Sequence, residues 1–513
     1  MGDEGRTMTG SILQYADVSR RVSDAADYVI IGSGAAGATA ARVLSEGGAD
    51  VVVIEEGPHV PDRELRSDMW SSFRRVWRDQ GFQVANGRAF TPILQGRCVG
   101  GTTTINGAII HRMPEKIWAR WRDDFGLGAA LPYVELDRIW DTLDDELAVG
   151  PAPEATLGKN NTLFRLASQR LGIGSNPIRR NVRDCQASAH CNQGCPTGRR
   201  QSMNVSYVPR AVAHGARVYA TASAERLERS RGRASGVRAC FVDPETGTRG
   251  PELVVHARRA VLLAASAIQS PLFLAANSIG RASGVLGRRL QAHPGTAVVG
   301  VFRDPVKMFE GATQGFESVH YWDERMKFET VSMPPELALA RLPGVGPELM
   351  RELGSYAHLA VWGVQVRAEA QGRVQRGAFG GTAIEYDMTD ADIRVLKLGV
   401  RRLTELLFAA GAERALPGVH GLPPSITHVD ELEPMFRAPD DPRLFHTIAA
   451  HLFGTALMGG SAFHAVVRPN FETYDLAGLH VIDSSVFPTN LGVNPQHTIS
   501  ALAWLAAERL LDA

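Results

Sequence analysis

The sequence lacks a net charge, a long uninterrupted apolar run and an ample supply of cysteine, and each absence removes a class of function. Fifty-five Lys and Arg residues balance fifty-five Asp and Glu residues, so no global field draws the protein to nucleic acid or to an anionic membrane. The amino terminus, MGDEGRTMTGSILQYADVSRR, has no apolar core behind a basic start. It does not read as a signal peptide, and a cytoplasmic location is the expectation. The most apolar long stretch, AVLLAASAIQSPLFLAANSIG from Ala260, is broken by Gln269 and Pro271, which makes it a buried strand and helix and not a membrane span. Five cysteines, an odd number in a chain of this size, argue against a disulfide framework. Neither an internal repeat nor a low-complexity linker is present, so any second domain is woven into the first.

What is present points to a globular α/β protein: 44% hydrophobic and 21% charged residues with 52 glycines. A chain of 513 residues exceeds one ordinary core and predicts two domains, or one with large insertions. Residues 1–26 are polar and weakly patterned, an arm against the body. From Asp27 the pattern becomes strand, glycine turn, small-residue helix and second strand: YVII, GSGAAG, ATAARVLSEGG, VVVIEEG. Gly32, Gly34 and Gly37 form G-x-G-x-x-G at the head of the helix. The first glycine makes the tight turn, the second admits a pyrophosphate to the backbone, and the third lets helix and sheet pack closely. Glu55 ends the next strand, where a carboxylate accepts from a ribose 2′-hydroxyl, so FAD or NAD is preferred to NADP.

The segment from Asp27 to Gly57 resembles the amino-terminal FAD motif of the glucose-methanol-choline (GMC) oxidoreductases, and four later segments match that family in order. They are GRCVGGTTTINGAIIHRMP, with Gly100, Gly101, Thr102 and Asn106 at the flavin-side positions; SAIQSPLFLAANSIG; LGRRLQAHP; and HLFGTALMG with VIDSSVFPTNLGVNPQHTISALAWLAAERL. The resemblance implies an α/β fold in which a Rossmann-like FAD-binding domain (27–110, 200–300 and 441–513) interweaves with an α+β substrate-binding domain (111–199 and 301–440). Gly100 and Gly101 are expected to turn backbone N–H groups toward the flavin or pyrophosphate, and Asn106 to hold a flavin carbonyl or ribose edge. Asp483 is expected at the ribityl or pyrophosphate region, with Pro495 and Gln496 opening the last helix toward the ring. Some relatives carry a flavin-linked histidine just before the Asn; here Ile105 stands there, so FAD is expected to be non-covalent.

Alcohol oxidation by a flavin needs one base of near-neutral pKa beside the ring. His451 stands at the family's catalytic histidine and Asn494 at its partner, an amide that stabilises developing alkoxide character without titrating. His497 competes for the partner role, His293 reads as structural, and His446 matches no motif position. The activity implied is hydride transfer from an alcohol to flavin N5, with a hydroxynitrile-type lyase or a redox-inactive flavin-binding subunit as alternatives. The pocket is expected from the unaligned blocks, where Trp362 and Phe379 serve equally well as core. Finally, Cys185, Cys191 and Cys195 are spaced C-x5-C-x3-C-P. They suggest an iron–sulfur cluster passing electrons to a partner protein or quinone, or, with His190, a zinc site; three structural thiols are the plainer alternative.

Overall fold

The computed structural model describes residues 10–378 and 380–512; Phe379 lies outside them. Residues Tyr28 to Ile31 and Val51 to Ile54 are apolar without alternation because helices or chain cover both faces of their strands, the usual condition of a parallel sheet. Val22–Ile31 pairs in parallel with Val51–Ile54 on one side and with Arg249–Leu263 on the other. Arg217–Tyr219 and Ser11–Leu13 extend the first edge, also in parallel. Leu479–Val481 joins the carboxyl half of Arg249–Leu263, and its amino half continues into the antiparallel strands Arg233–Val242 and Ala222–Ser230. Across this sheet the helices Ala35–Glu46 and Gln496–Leu511 pack on each other through alanines, with the Arg42 guanidinium 4.4 Å from the Trp504 ring centre.

The second sheet is antiparallel and is organised around Arg288–Val301. Leu359–Val366, Gly372–Arg376, Arg414–Leu416 and Ile448–Phe453 all pair with this long strand. Met326–Val331, Phe316–Ser318 and Asn176–Pro177 continue one edge, and Thr382–Glu385 forms the other. Helix Asp390–Ala410 covers this sheet. It starts at a capping box in which Thr389 and Asp392 satisfy each other's backbone N–H groups, and it stops at Gly411, whose φ of 97° is cheap only for glycine. Trp362 belongs to this core, fully buried and edge-on to Phe164 at 5.1 Å.

Several boundaries differ from the sequence reading. The stretch 1–26 supplies Ser11–Leu13 and the start of Val22–Ile31 to the first sheet. Block 111–199 is divided: helices Glu115–Phe125 and Tyr133–Glu146 bury Trp121, Leu136 and Trp140 in the first core, whereas Gly158–Leu171 sits in the second. Arg288–Val301 and Ile448–Phe453 fall in the second sheet, not the first. Apolar periodicity says which face of an element is buried but not against which sheet. Among the described residues, no helix is long and apolar enough to cross a membrane.

Candidate functional site

A cavity of about 840 Å³ runs between the two sheets, bounded by the glycine turn on one side and by His451 and Asn494 on the other. The turn is built as its glycines require. Gly32 has φ +97° and a Cβ there would lie 2.4 Å from the Ala264 carbonyl oxygen; a Cβ on Gly37 would lie 1.9 Å from the Gly32 oxygen. Gly34 has nothing within 4 Å of its missing side chain, so it opens onto the cavity. Gly101 approaches it from the second glycine turn, its own Cβ position being 2.9 Å from Gly34 Cα. This contact between two side-chain-free turns leaves the space a dinucleotide occupies.

The other expected cofactor residues all line or border this cavity, but several bond differently from expectation. Glu55 accepts from Ser33 N–H at 2.9 Å, Ser33 Oγ at 2.7 Å and Gly57 N–H at 2.8 Å, and burial pushes its carboxyl upward against those bonds. It therefore braces the turn as well as facing the cavity. Gly100 N–H donates to Ser33 Oγ and Gly101 N–H to the Cys98 carbonyl, so neither is left for a flavin or pyrophosphate, because closing the tight turn uses both. Thr102 Oγ1 accepts from Gly96 N–H at 3.0 Å. Asn106 is a brace: its amide donates to Gln496 Oε1 at 2.7 Å and accepts from Ala108 N–H. Asp483 is buried and engaged by Ser266, Ser270 and Ser485. Gln496, following Pro495 at the head of the last helix, leaves a buried amide Nε2 without a partner beside the cavity. That orphan donor and the first-turn N–H groups fit the acceptor edge of a flavin.

At the opposite wall His451, Asn494 and His293 form one chain of hydrogen bonds. Asn494 Nδ2 lies 3.4 Å from His451 Nε2, and His451 Nδ1 lies 3.3 Å from His293 Nδ1. His293 Nε2 accepts the Gly492 N–H at 2.9 Å. Hence His293 is not merely structural, as its sequence context suggested; it touches the expected base. His497 points away from the cavity, 2.9 Å from Asp144, whereas His446 lines the cavity.

Sequence reasoning missed what lies behind Asn494. Lys327, 1% exposed, donates to Asn494 Oδ1 at 2.6 Å, to Glu317 at 2.8 Å and to Glu329. Its three N–H donors are all used. His111 Nε2 lies 2.9 Å from Glu317, and Gln314 donates to Glu329 at 2.7 Å. In MKFETV, Lys327 and Glu329 alternate with Met326 and Phe328, the pattern of a strand with one wet face; no motif tells that both faces are covered. Burial, Lys327 and His111, in that order, pull His451 down to about 3, well below the near-neutral value expected. The imidazole is neutral across the physiological range.

The cysteine segment lies behind the second glycine turn. Cys185, Cys191 and Cys195 line one small void together with Arg180 and Arg200. Arg180 donates to Cys191 Sγ at 3.0 Å. Burial pushes the Cys191 thiol up, but Arg180 and Arg200 outweigh it and the net shift is downward. Arg200 also bonds the carbonyls of Thr104, Asn106 and Cys191, tying the segment to the flavin-side turn. Among the described residues, no group of three or more His, Cys, Asp or Glu side chains is placed to hold a metal ion, so neither the iron–sulfur nor the zinc expectation finds a ligand set. Arginine stands where a cation would.

With this geometry in view, the comparisons agree. Residues 26–295 and 372–503 match the amino- and carboxy-terminal family models of the GMC oxidoreductases; the chain belongs to that family and is an FAD-dependent oxidoreductase. It is 36% identical over 487 residues to a GMC-type oxidoreductase of Mycobacterium tuberculosis, covering 94% of this chain and 75% of that one. It is 24% identical to a long-chain-alcohol oxidase of Arabidopsis thaliana, covering 95% and 66%. Its fold superposes on pyridoxine 4-oxidase from Mesorbium loti with a TM-score of 0.70 at 19% identity, over 94% and 98% of the two chains.

Proposed function

We propose that the protein oxidises an alcohol to a carbonyl, with His451 as the base and Asn494 as the oxygen holder. The observation that carries this reading is the His451–Asn494 pair, one lone-pair-bearing nitrogen and one N–H donor 3.4 Å apart at a cavity wall. Bound FAD supplies the hydride acceptor, N5. Gly32, Gly34 and Gly37 admit its pyrophosphate, and Gln496 with the last helix receives its ring. Ile105 lines the cavity without a nucleophile, which supports a dissociable cofactor.

A substrate hydroxyl between the pair accepts from Asn494 Nδ2–H and gives its proton to His451 Nε2. The alkoxide character that develops is met by the amide, which Lys327 polarises from its oxygen end. Because the imidazole is already neutral, no prior deprotonation is required.

The test is anaerobic flavin reduction. Addition of an oxidisable alcohol bleaches the yellow flavin, and His451→Ala, with FAD retained, slows that step by roughly two to four orders of magnitude. Wild-type reduction rates in the variant sink the assignment. Release of cyanide and a carbonyl from a hydroxynitrile without bleaching marks a lyase instead. Running the same substrates with oxygen and with a dye separates the two modes of flavin reoxidation.

A further inference from the structure

The cavity extends beyond the reacting pair along Ile448–Phe453 to a cation that has no counter-ion. Arg341 lines it, half-buried. Its guanidinium donates to the His446 carbonyl at 3.1 Å, the Ala297 carbonyl at 2.5 Å and Thr296 Oγ1 at 3.4 Å. Every acceptor is neutral, and two of its five N–H donors remain. No carboxylate among the described residues comes within ion-pair distance, whereas Arg414 pairs with Glu352, Arg217 with Asp24 and Asp50, and Arg325 with Asp392; Arg180 and Arg200, also without a carboxylate, are set against Cys191 instead. Burial alone pulls Arg341 down to about 10, with nothing to offset it, and its charge in turn adds to burial in lowering His446 beside it. A shielded, unpaired guanidinium facing a cavity is a site for an anion; with Nε–H and one Nη1–H remaining on different edges, a carboxylate is held by single charge-assisted N–H bonds and not by a parallel pair.

The rest of the cavity fixes how such a ligand lies. Glu329 lines the reacting end and repels an anion there. Val331, Met333, Leu337 and Ile448 give the cavity an apolar part of its lining. His446 and His451 are five residues apart on one extended segment, roughly 16 Å at the strand rise.

We propose that Arg341 docks a substrate carboxylate, so that the substrate class is ω-hydroxy carboxylates with an apolar spacer, the acid held at Arg341 and the hydroxyl at His451. This rests on the oxidation reading above. The test uses the FAD-loaded enzyme in two ways. In steady state, ω-hydroxydecanoate is compared with decanol; in binding, decanoate is compared with decanamide by the perturbation of flavin absorbance. The wild type prefers the hydroxy acid in kcat/KM, and decanoate over decanamide in Kd, by roughly ten- to a hundredfold, the worth of charge-assisted hydrogen bonds. In Arg341→Met both preferences collapse, the kinetic one through KM, and Arg341→Lys restores part of each. Equal treatment of acid and neutral ligand by the wild type overturns the proposal, and that comparison needs no variant to fold. Turnover of decanol with no advantage for the hydroxy acid removes the carboxylate site and leaves alcohol oxidation standing. Decanoate bound through Arg341 with no flavin reduction by either alcohol removes the oxidation reading and leaves the carboxylate site.

Discussion

The two walls of the cavity are made of different material. On the first-sheet side the surface is backbone: glycine turns meeting at Gly34 and Gly101, with the nearby polar side chains Glu55, Asn106 and Asp483 spent on holding those turns. On the second-sheet side it is side chain: Glu329, three histidines and Arg341 line it, with Lys327 and Glu317 buried behind them. A wall made of backbone tolerates little added volume, and its carboxylates, Glu55 and Asp483, are spent on hydrogen bonds. A charged wall tolerates volume, yet depends on every ion keeping its partner. Substitutions on the two sides should therefore fail in different ways.

The largest effect is expected at Lys327. Replacing it with Met leaves Glu317 and Glu329 buried without their cation, a loss on the order of 3–5 kcal/mol, together with slower flavin reduction because Asn494 loses the group that orients it. The denaturant midpoint of Lys327→Met reads the first and stopped-flow reduction the second. A midpoint equal to the wild type breaks the contrast, since it means that the ammonium is not carrying the pair of acids.

On the opposite wall Gly37→Ala brings a Cβ to 1.9 Å from the Gly32 carbonyl, a clash with backbone that a rotamer cannot relieve. A cost of about 1–3 kcal/mol is expected, with FAD lost on gel filtration while the second sheet stays folded. Whatever fraction retains FAD should reduce it at the wild-type rate. A slower chemical step in that fraction would show that the walls are coupled.

The same division explains what the sequence disclosed. The backbone wall is legible because only glycine meets its φ angles and close approaches, and so Gly32, Gly34, Gly37, Gly100 and Gly101 announce themselves by spacing. His451 and Asn494 were legible through resemblance to a family, not through any local chemistry of their own. Lys327, Glu317 and Glu329 were illegible, because a charged residue alternating with apolar ones along a strand is ordinarily wet, and only tertiary packing shows that this one is dry. Arg341 gave no signal either, since what distinguishes it is a partner that is missing. The role of His293 also depends on a contact made 158 residues away.

The smallest predicted effect is in the pH profile, and it tests whether the charged wall governs the base. His451 is held down at about 3, below the ordinary histidine value of about 6.5. Between these two values the unfolded chain binds a proton that the folded site refuses, so this residue makes the fold less stable as pH falls from about 6.5 to about 3. Glu317 works in the same direction by another route: burial pushes it up, but Lys327 and His111 outweigh that and hold it at about 2. Its stabilisation is complete above the ordinary carboxylate value of about 4.3 and is lost as pH falls toward about 2. The enzyme should thus lose stability steadily on the acid side of neutrality while its kcat/KM for a neutral alcohol stays flat from about pH 7 to about pH 5, since no fraction of the base becomes protonated there. In Lys327→Met, or in the milder Lys327→Gln, the positive neighbour is gone and the His451 pKa rises, so the acid limb should move up in pH, while burial, the larger cause, still holds it below the ordinary value. A wild-type limb centred near pH 6.5 would show that neither burial nor the buried ammonium holds His451 down.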